Sequence, residues 1–400
     1  MKNRNGIGFQ SALLVNKWII AGFFVLSVLS VWLGALPIAM LFLALAVMGS
    51  VSYLWGMKAL DRLKVDVTAE SASIVCGQKL EFCYEIENQK FLPLIWLEIC
   101  QDVPKNDCLT PDDAMTLRVF SEQEAEYSGK DKAYMRRFPF LLGHRSLSFS
   151  CVWTGSRRGV YRPDDIIVRS GDGFGLTQSV GSAKGLKGKT FVVWPKIVPV
   201  NSALLLRDLW SGSAGHMGWS EDITILRDEK EYREGDSWKR IDWRTAARTD
   251  ELYTKYFERI RPQSVMLVLD TAGLSDAEEG ISITASLLWD LTEKGISAGL
   301  SLPATPEKEA LVIRPNDANS TLDDLMFELS DHSASDASCD DHNIRSILAA
   351  AEDAGQVWII GEDPKSIRSG RLYAALMSVS PRMICAVSDA GTVTFESLKG

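Results

Sequence analysis

The sequence lacks charged residues over one long run, from Trp18 to Met57. A run of this length can cross a hydrocarbon layer of about 30 Å twice, with about twenty residues in each pass. Gly34 and Pro37 divide the run, which predicts a tight hairpin of two helices. A cleavable signal peptide fits poorly, because its apolar stretch spans about 7–15 residues and ends at a small-residue cleavage site. A buried helical hairpin of a soluble protein is the other alternative.

Basic residues flank this apolar run on both sides. Lys2, Arg4 and Lys17 precede it, and Lys58, Arg62 and Lys64 follow it. Because short loops rich in Lys and Arg stay in the cytoplasm, both flanks are expected there. The prediction is a multi-pass protein of the inner (cytoplasmic) membrane, with the bilayer as a partner and most of the chain in the cytoplasm.

Three further patterns are missing. The chain has 43 Lys and Arg against 52 Asp and Glu, a net charge of −9, without the broad basic face that a nucleic acid requires. Its seven cysteines include no Cys-x-x-Cys pair, which favours reduced thiols on the cytoplasmic side. His144 and His216 have no nucleophile motif beside them, and the Asp-rich stretch from His332 to His342 favours an exposed acidic loop over a zinc site. No catalytic residue, metal or cofactor is predicted.

Alternation of apolar and polar residues marks the next part of the chain as β structure. In Leu80-Glu-Phe-Cys-Tyr-Glu-Ile86 every second residue is apolar, which is typical of a strand with one buried face. Leu94–Ile99 and Leu147–Val152 continue the pattern. We therefore predict an immunoglobulin-like β-sandwich over residues 63–205, the second part of the chain after a transmembrane hairpin over 1–62.

From Ser264 onward, strand and helix patterns alternate. Short apolar runs at 265–269, 296–300, 311–313, 357–360 and 383–387 are separated by helical patterns near 280–294, 321–329 and 365–377. Such alternation predicts an α/β domain with a mostly parallel sheet, over 260–400. Residues 206–259 between the two domains combine a Gly-rich link with a highly charged segment.

That charged segment is too dense in charge for a core and too regular for a linker. Asp236 is predicted to cap a helix of about three turns that starts at Ser237. Arg240, Arg244 and Arg248 then recur at steps of four on one side of it. Arginines in one stripe repel each other, which calls for an anionic counterpart.

Two sources of that counterpart remain open. One is an internal salt-bridge lattice with Glu229, Glu231, Glu234 and Asp242. In that case Arg240 and Arg244 are expected to be buried, as the neighbouring Trp238, Ile241 and Trp243 indicate, and Arg248 to be exposed. The other source is a bound partner or ligand.

The segment also carries a family resemblance. Arg233-Glu-Gly-Asp236, Arg240-Ile-Asp-Trp-Arg244, Ala247-Arg248 and Glu251-Leu-Tyr253 resemble the signature of the bacterial family called domain of unknown function 58. A second similar segment is Arg157-Arg-Gly-Val-Tyr-Arg162, with Asp172-Gly-Phe-Gly-Leu176 after it. The resemblance covers roughly residues 1–275. The signature residues, partner-binding or structural, are Arg233, Gly235, Asp236, Arg240, Asp242, Trp243, Arg244, Arg248 and Tyr253.

The resemblance implies that the α/β domain is similar to a von Willebrand factor A domain. Such a domain holds a divalent cation through Asp-x-Ser-x-Ser after its first strand, where oxygen ligands suit a hard ion. Here Asp270 is kept, but Ala272 and Leu274 replace both serines. We therefore expect a degenerate site at Asp270 that holds no metal.

These features favour a non-enzymatic adaptor anchored in the membrane. The resemblance implies a MoxR-type AAA+ ATPase as its partner, together with a transglutaminase-like membrane protein, in complex assembly or envelope-related stress. The rival hypothesis is an enzyme whose anion-handling site consists of Arg233, Asp236, Arg240, Asp242 and Arg244. A raised carboxylate pKa in a converging pocket would favour the enzyme, and a closed lattice would favour the adaptor.

Overall fold

The chain forms two compact units, Met1–Pro195 and Lys196–Gly400. Each has its own sheets and its own apolar core. The computed structural model describes residues 8–119, 132–200, 220–233, 238–249, 251–260, 264–270, 274, 276–305, 308–317, 321–333, 341–354, 356–361, 364–377, 383–389 and 392–397.

The first unit begins with strand β1 (Gly8–Ser11), a 3-10 turn (Leu13–Val15) and a pair of helices, α1 (Lys17–Trp32) and α2 (Leu36–Lys58). Gly34 adopts φ +75 in the turn between the helices, a conformation that glycine tolerates best. The Ser27 hydroxyl on α1 donates to the Ala39 carbonyl on α2 at 3.0 Å. The predicted helix pair is confirmed.

The two helices differ in length. Within the described residues, α2 is the helix that is long and apolar enough to cross a membrane. The apolar helix α1 has 16 residues, which is shorter than the predicted pass of about twenty. Its first turn is capped by Asn16, whose side chain accepts a hydrogen bond from the Trp18 backbone N–H at 3.1 Å.

Twelve further strands of the first unit form the β domain. They are β2 (Leu63–Ala69), β3 (Ser73–Val75), β4 (Lys79–Asn88), β5 (Leu97–Asp102), β6 (Leu109–Pro111), β7 (Leu117–Val119), β8 (Lys132–Phe138), β9 (Arg145–Gly155), β10 (Gly159–Tyr161), β11 (Ile166–Gly171), β12 (Thr177–Ala183) and β13 (Phe191–Trp194). A six-stranded sheet runs β1-β12-β11-β5-β8-β7, and a four-stranded sheet runs β2-β4-β9-β6. Pairing within both sheets is antiparallel.

One apolar core fills the space between these two sheets. Leu80, Phe82, Tyr84 and Ile86 of β4 are all buried, as their alternation predicts. They belong to the same cluster as residues of β5, β8 and β11 in the other sheet. A third sheet, β10-β13-β3, contributes Phe191 to this core. Sharing of one core by two antiparallel sheets makes this domain a β-sandwich.

The end of α2 is held to the sandwich by polar contacts. The hydroxyls of Thr177 and Ser179 on β12 donate to the carbonyls of Ser52 and Gly56, at 3.3 and 2.5 Å. Lys90, in the loop after β4, is buried and donates to the carbonyls of Ala59 and Asp61 beyond the end of the helix. Of these carbonyls, Gly56 and Ala59 belong to the last turn of the helix and its C-cap, where a carbonyl has no N–H four residues ahead within the helix.

The second unit begins with a two-stranded antiparallel ribbon, β14 (Ser220–Glu231) and β15 (Tyr253–Ile260), joined through a 3-10 turn (Trp238–Arg240) and helix α3 (Trp243–Thr249). The ribbon has register shifts between Asp222 and Asp228, where the pairing is irregular.

The rest of the second unit is a mixed α/β domain. Its strands are β16 (Ser264–Leu269), β17 (Ser297–Leu302), β18 (Leu311–Ile313), β19 (Gln356–Ile360), β20 (Met383–Asp389) and β21 (Thr392–Ser397). Its helices are α4 (Ala277–Glu293), α5 (Leu322–Asp331), α6 (Asp341–Asp353), α7 (Pro364–Ser369) and α8 (Arg371–Leu376). The sheet order is β18-β17-β16-β19-β20-β21, with parallel pairs among the central four strands and an antiparallel strand at each edge.

Two parts of this domain differ from the prediction. The helix predicted at 365–377 is two short helices, because Gly370 lies between them in an extended conformation and caps α8. Helix α6 was not predicted, and its Ile347 and Ala350 pack on Met266 and Val268 of β16. The core of this domain therefore includes a helix that is absent from the predicted pattern.

Candidate functional site

The signature residues lie around the base of the β14–β15 ribbon. The Tyr232 N–H donates to the Leu252 carbonyl at 2.8 Å, which extends the ribbon beyond β14. Ile241, 4% exposed, forms an isolated bridge with Thr254. This bridge ties the residues between the 3-10 turn and α3 to β15.

Asp242 caps helix α3. Its backbone N–H donates to the Tyr253 carbonyl at 2.8 Å, while its side-chain Oδ1 accepts from the Arg244 N–H at 3.0 Å. Thr245 donates its hydroxyl to Oδ2 at 3.1 Å and its N–H to Oδ1 at 3.5 Å. A carboxylate in this position satisfies N–H groups that have no partner inside the helix.

The predicted three-turn helix from Ser237 is wrong. The chain makes a 3-10 turn, then the Ile241 bridge, and only then α3, because pairing with β15 pulls Ile241 and Asp242 out of a helical path. The predicted capping residue, Asp236, lies outside the described residues, as does Gly235.

The Asp242 carboxylate is surrounded by donors. Lys255 Nζ on β15 lies 3.4 Å from its Oδ1. Burial by itself would raise the carboxyl pKa, but the hydrogen bonds from the Arg244 N–H, from Thr245 and from Lys255 outweigh it and leave the pKa of Asp242 lowered. The group is therefore held as a carboxylate, with its oxygens already engaged.

The arginines do not form the predicted stripe on one helix. Arg240 lies in the 3-10 turn and is half-buried, whereas Arg244 and Arg248 lie on α3 and are exposed. The prediction that Arg244 is buried is wrong, and the prediction that Arg248 is exposed is confirmed.

The neighbouring tryptophans are exposed as well. Trp238 is 64% exposed and Trp243 is 61% exposed, contrary to the burial that their apolar rings predict. Trp238 contacts the ring of Tyr232, with 5.6 Å between the ring centroids. Among the described residues, none forms over the two indoles the covering layer that an internal lattice would require.

The remaining signature residues lie at the edges of this site. Arg233 is exposed, and Tyr253 is half-buried with its hydroxyl donating to Glu251 at 3.2 Å. The structure thus brings Asp242, Arg244 and Tyr253 together through backbone and capping contacts.

Two residues of the site were missed by sequence reasoning. Thr245 and Lys255 complete the contacts of Asp242. The pattern Asp242-Trp-Arg-Thr245, a capping residue with a hydroxyl three positions later, is a signal that could have found Thr245. Lys255 carries no such signal, because its approach depends on how β15 packs beside α3.

Asp270 lies just after β16, at the carboxyl end of this parallel strand. It is half-buried, and its N–H donates to the Ile360 carbonyl of β19 at 3.1 Å. Positions 271–273 and 275 lie outside the described residues. Within the described ranges, no group of three or more His, Cys, Asp or Glu side chains could hold a metal ion.

The second motif segment, Arg157–Arg162, lies in the sandwich and is built around a buried tyrosine. Tyr161, 2% exposed, donates its hydroxyl to the Asp102 carbonyl at 2.7 Å and accepts from Gln101 Nε2 at 3.2 Å. A Cβ on Gly159 would approach Cys108 Cβ to 2.9 Å, so the tight packing requires glycine there.

The match to a known family lies in the second unit. Residues 228–360 match the model of a family described as "Protein of unknown function DUF58". "Uncharacterized protein YeaD" of Bacillus subtilis (strain 168) is 29% identical over 180 residues, 44% of this chain and 44% of that protein. The match therefore spans less than half the length of this curated relative.

Two cohesins are among the similar solved structures. The non-cellulosomal cohesin from the hyperthermophilic archaeon Archaeoglobus fulgidus is 16% identical with a TM-score of 0.20, covering 36% of this chain and 97% of its own. A type II cohesin domain from the cellulosome of Acetivibrio cellulolyticus is 7% identical with a TM-score of 0.19, covering 33% and 94%. Likenesses at these TM-scores carry no functional argument. The family match over residues 228–360 covers about a third of the chain and contains Asp242, Arg244 and Tyr253, so the signature segment is the part of this chain that is similar to the family.

Proposed function

We propose that the protein is a membrane-anchored, non-enzymatic adaptor that offers its signature segment to a cytoplasmic protein. The expected partner is a MoxR-type AAA+ ATPase, as the family resemblance implies, with a transglutaminase-like membrane protein as a further component. The role would be complex assembly or envelope-related stress. No cofactor is part of this proposal.

The observation that carries the proposal is the exposure of Trp238, Trp243, Arg244 and Arg248 around a helix cap that is already closed. Tryptophan and arginine are the residue types that contribute most binding free energy in protein interfaces. Two indoles more than half exposed within one short segment leave apolar surface in water that a partner would cover. The arginines favour a partner surface with acidic groups.

The rival enzymatic function receives less support from this site. A general acid or base works best with a pKa near the operating pH. The pKa of Asp242 is lowered, and its oxygens are engaged by Arg244, Thr245 and Lys255. Such a carboxylate stabilises α3 and is a poor proton acceptor, which favours the adaptor over the enzyme.

The proposed anchor is the hairpin of α1 and α2, crossing the inner membrane twice. Pairing of β1 with β12 ties the chain before α1 to the sandwich that follows α2. This pairing supports placing both flanks of the hairpin on one side of the membrane. The basic residues Lys17, Lys58 and Arg62 favour the cytoplasmic side.

The finer fold assignments belong to the same proposal. We infer an immunoglobulin-like sandwich in the first unit and a shortened von Willebrand factor A-like domain in the second. The second assignment rests on the parallel central strands and on Asp270 at the carboxyl end of β16. In this protein the domain would act as a docking module.

Affinity purification of the tagged full chain from membranes tests the proposal. The ATPase should co-purify with the parent protein. Simultaneous Arg244→Ala and Arg248→Ala changes should lower its capture about tenfold or more, since each interface arginine contributes on the order of 1 kcal/mol. Arg345→Ala, an exposed arginine on α6, is the matched control and should leave capture unchanged.

Melting temperature separates loss of binding from loss of folding. The double variant should melt within about 2 °C of the parent, because exposed charges contribute little to stability. Capture that survives the double change would contradict the assignment of this segment as the docking site. An ATPase that never co-purifies with the parent would contradict the partner.

A further inference from the structure

The loop between β11 and β12 presents a single exposed aromatic ring on a rigid support. Phe174 is 62% exposed between two glycines, and Gly175 adopts φ +73. Behind it, the buried Asp172 accepts a hydrogen bond from the Thr177 N–H at 3.0 Å. The tip is therefore a structured turn that holds a large apolar side chain away from the sandwich.

This ring lies beside the apolar helix α2. Phe174 and one face of the helix line a groove of about 600 Å³ whose lining side chains are all apolar, from Met40, Leu43, Ala44, Val47, Met48 and Val51. The contacts of Thr177 with Ser52 and of Ser179 with Gly56 fix the position of the loop along the helix. Because Val47 and Val51 precede Ser52 by one to five residues, the loop reaches about 2–8 Å past the point of attachment, toward the middle of the span.

The two faces of α2 differ in the size and burial of their side chains, and this difference favours one kind of occupant for the groove. The small residues Ala39, Ala46, Gly49, Ser52 and Gly56 are buried. Small and hydroxyl-bearing residues are the ones that bring membrane helices into close contact, and here contacts within the chain already use them. The groove face carries large flexible side chains such as Met40, Leu43 and Val47, each about half or more exposed.

We propose that this groove seats a lipid acyl chain, with Phe174 inserted into the boundary between headgroups and hydrocarbon. The sandwich would thus contact the bilayer directly through its β11–β12 loop. A large aromatic residue at this depth stabilises contact with the membrane, because its ring leaves water. This inference rests on the proposed membrane anchor.

Photocrosslinking distinguishes lipid from protein at this site. The full chain would carry p-benzoyl-phenylalanine in place of Phe174, be reconstituted in phosphatidylethanolamine and phosphatidylglycerol vesicles, and be irradiated. Mass spectrometry should find a phospholipid adduct on the peptide that contains position 174. The replacement keeps an aromatic side chain at an exposed tip, so folding should be preserved.

Two matched positions complete the test. Met115 is 97% exposed, after a strand that pairs with Gly155. Gly155 is the last residue of β9, and Arg145 at the other end of β9 pairs with Asn88 beside the loop that holds Lys90. Met115 therefore follows a strand at the far end of β9, about 30 Å from that loop. The same replacement at Met115 should give about tenfold less lipid adduct, or lower still, because it faces water. At Leu43, on the α2 side of the groove, it should give an adduct as strong as at 174.

Each outcome has a definite meaning. Lipid adducts at 43 and 174 but not at 115 support the proposal. An adduct at 43 alone overturns the lipid-contacting loop and leaves the anchor intact. The same variant can also be irradiated in cell membranes. If position 174 crosslinks there to another protein chain, the occupant of the groove is a protein and the proposal is overturned. Absence of adducts at both 43 and 174 overturns the anchor as well.

Discussion

The two motif segments of this chain lie in opposite environments. In Arg157–Arg162, Tyr161 is buried between sheets and both of its hydroxyl hydrogen bonds stay inside the sandwich. In the signature segment, Trp243 is 61% exposed on a helix of two turns beside a two-stranded ribbon. An aromatic residue in a motif is therefore no measure of burial. Its burial depends on how many layers of secondary structure surround it, because a ribbon and a short helix offer too little apolar surface to cover an indole.

The largest effect should come from removing the buried tyrosine. Tyr161→Ala should lower the free energy of unfolding by about 3–5 kcal/mol, because a large cavity opens in the core. Tyr161→Phe should cost less, about 1–3 kcal/mol, since it leaves only Gln101 and the Asp102 carbonyl without their partner. Urea unfolding of the detergent-solubilised full chain measures both losses of stability, with limited proteolysis in the first unit as the readout of unfolding. Equal midpoints for the alanine variant and the parent would refute the structural role of this motif.

Lys90 allows a test of burial through pH. Desolvation lowers its pKa from 10.5 to about 8, against the opposing charge of Asp61. The unfolded chain then binds more protons than the folded one between about pH 8 and 10.5, so the contribution of Lys90 to stability rises over this window and is lost as pH falls through 8. Between about pH 8 and 10.5, the free energy of unfolding of the parent should therefore rise by on the order of 3 kcal/mol relative to that of Lys90→Met.

Denaturant titrations of parent and Lys90→Met at several values between pH 7.5 and 10.5 give this difference. Lys184→Met is a suitable control, because Lys184 is an exposed lysine just after β12. A stability difference between parent and Lys90→Met that does not change with pH would show that Lys90 keeps its ordinary pKa.

A smaller effect is expected at the helix cap of the signature segment. Asp242→Ala should lower the melting temperature of the second unit by about 2–4 °C, since α3 loses its capping carboxylate. Asp242→Asn should lose less, because an amide oxygen can still accept the Arg244 N–H. Differential scanning calorimetry of the full chain compares the two. A variant as stable as the parent would mean that the contacts of Asp242 do not hold α3 in place.

The smallest effect on stability should come from Arg244. Burial in a lattice would make Arg244→Ala cost about 3–5 kcal/mol, but its exposure limits the cost to about 1 kcal/mol or less. Its melting temperature should match that of the control Arg345→Ala. A loss of several kcal/mol would restore the internal lattice and remove the main argument for a docking segment.

Much of the fold follows from the spacing of apolar residues. The alternation from Leu80 to Ile86 predicts the buried face of β4 correctly, and the uncharged run from Trp18 to Met57 predicts the helix pair. Both succeed because each pattern has a single periodicity that one local structure satisfies. The candidate site was predicted less well. Its cap was assigned to Asp236, and its arginines were placed on one continuous helix.

The sequence by itself determined the helix pair, the buried face of β4 and which residues bear charge near Asp242. Only the tertiary structure decided that Ile241 pairs with Thr254, that α3 starts at Trp243 and that Lys255 reaches Asp242. It also decided that Phe174 lies along α2. These features depend on contacts between residues far apart in the chain, whose free energies outweigh local propensity and leave no periodic signal in the sequence.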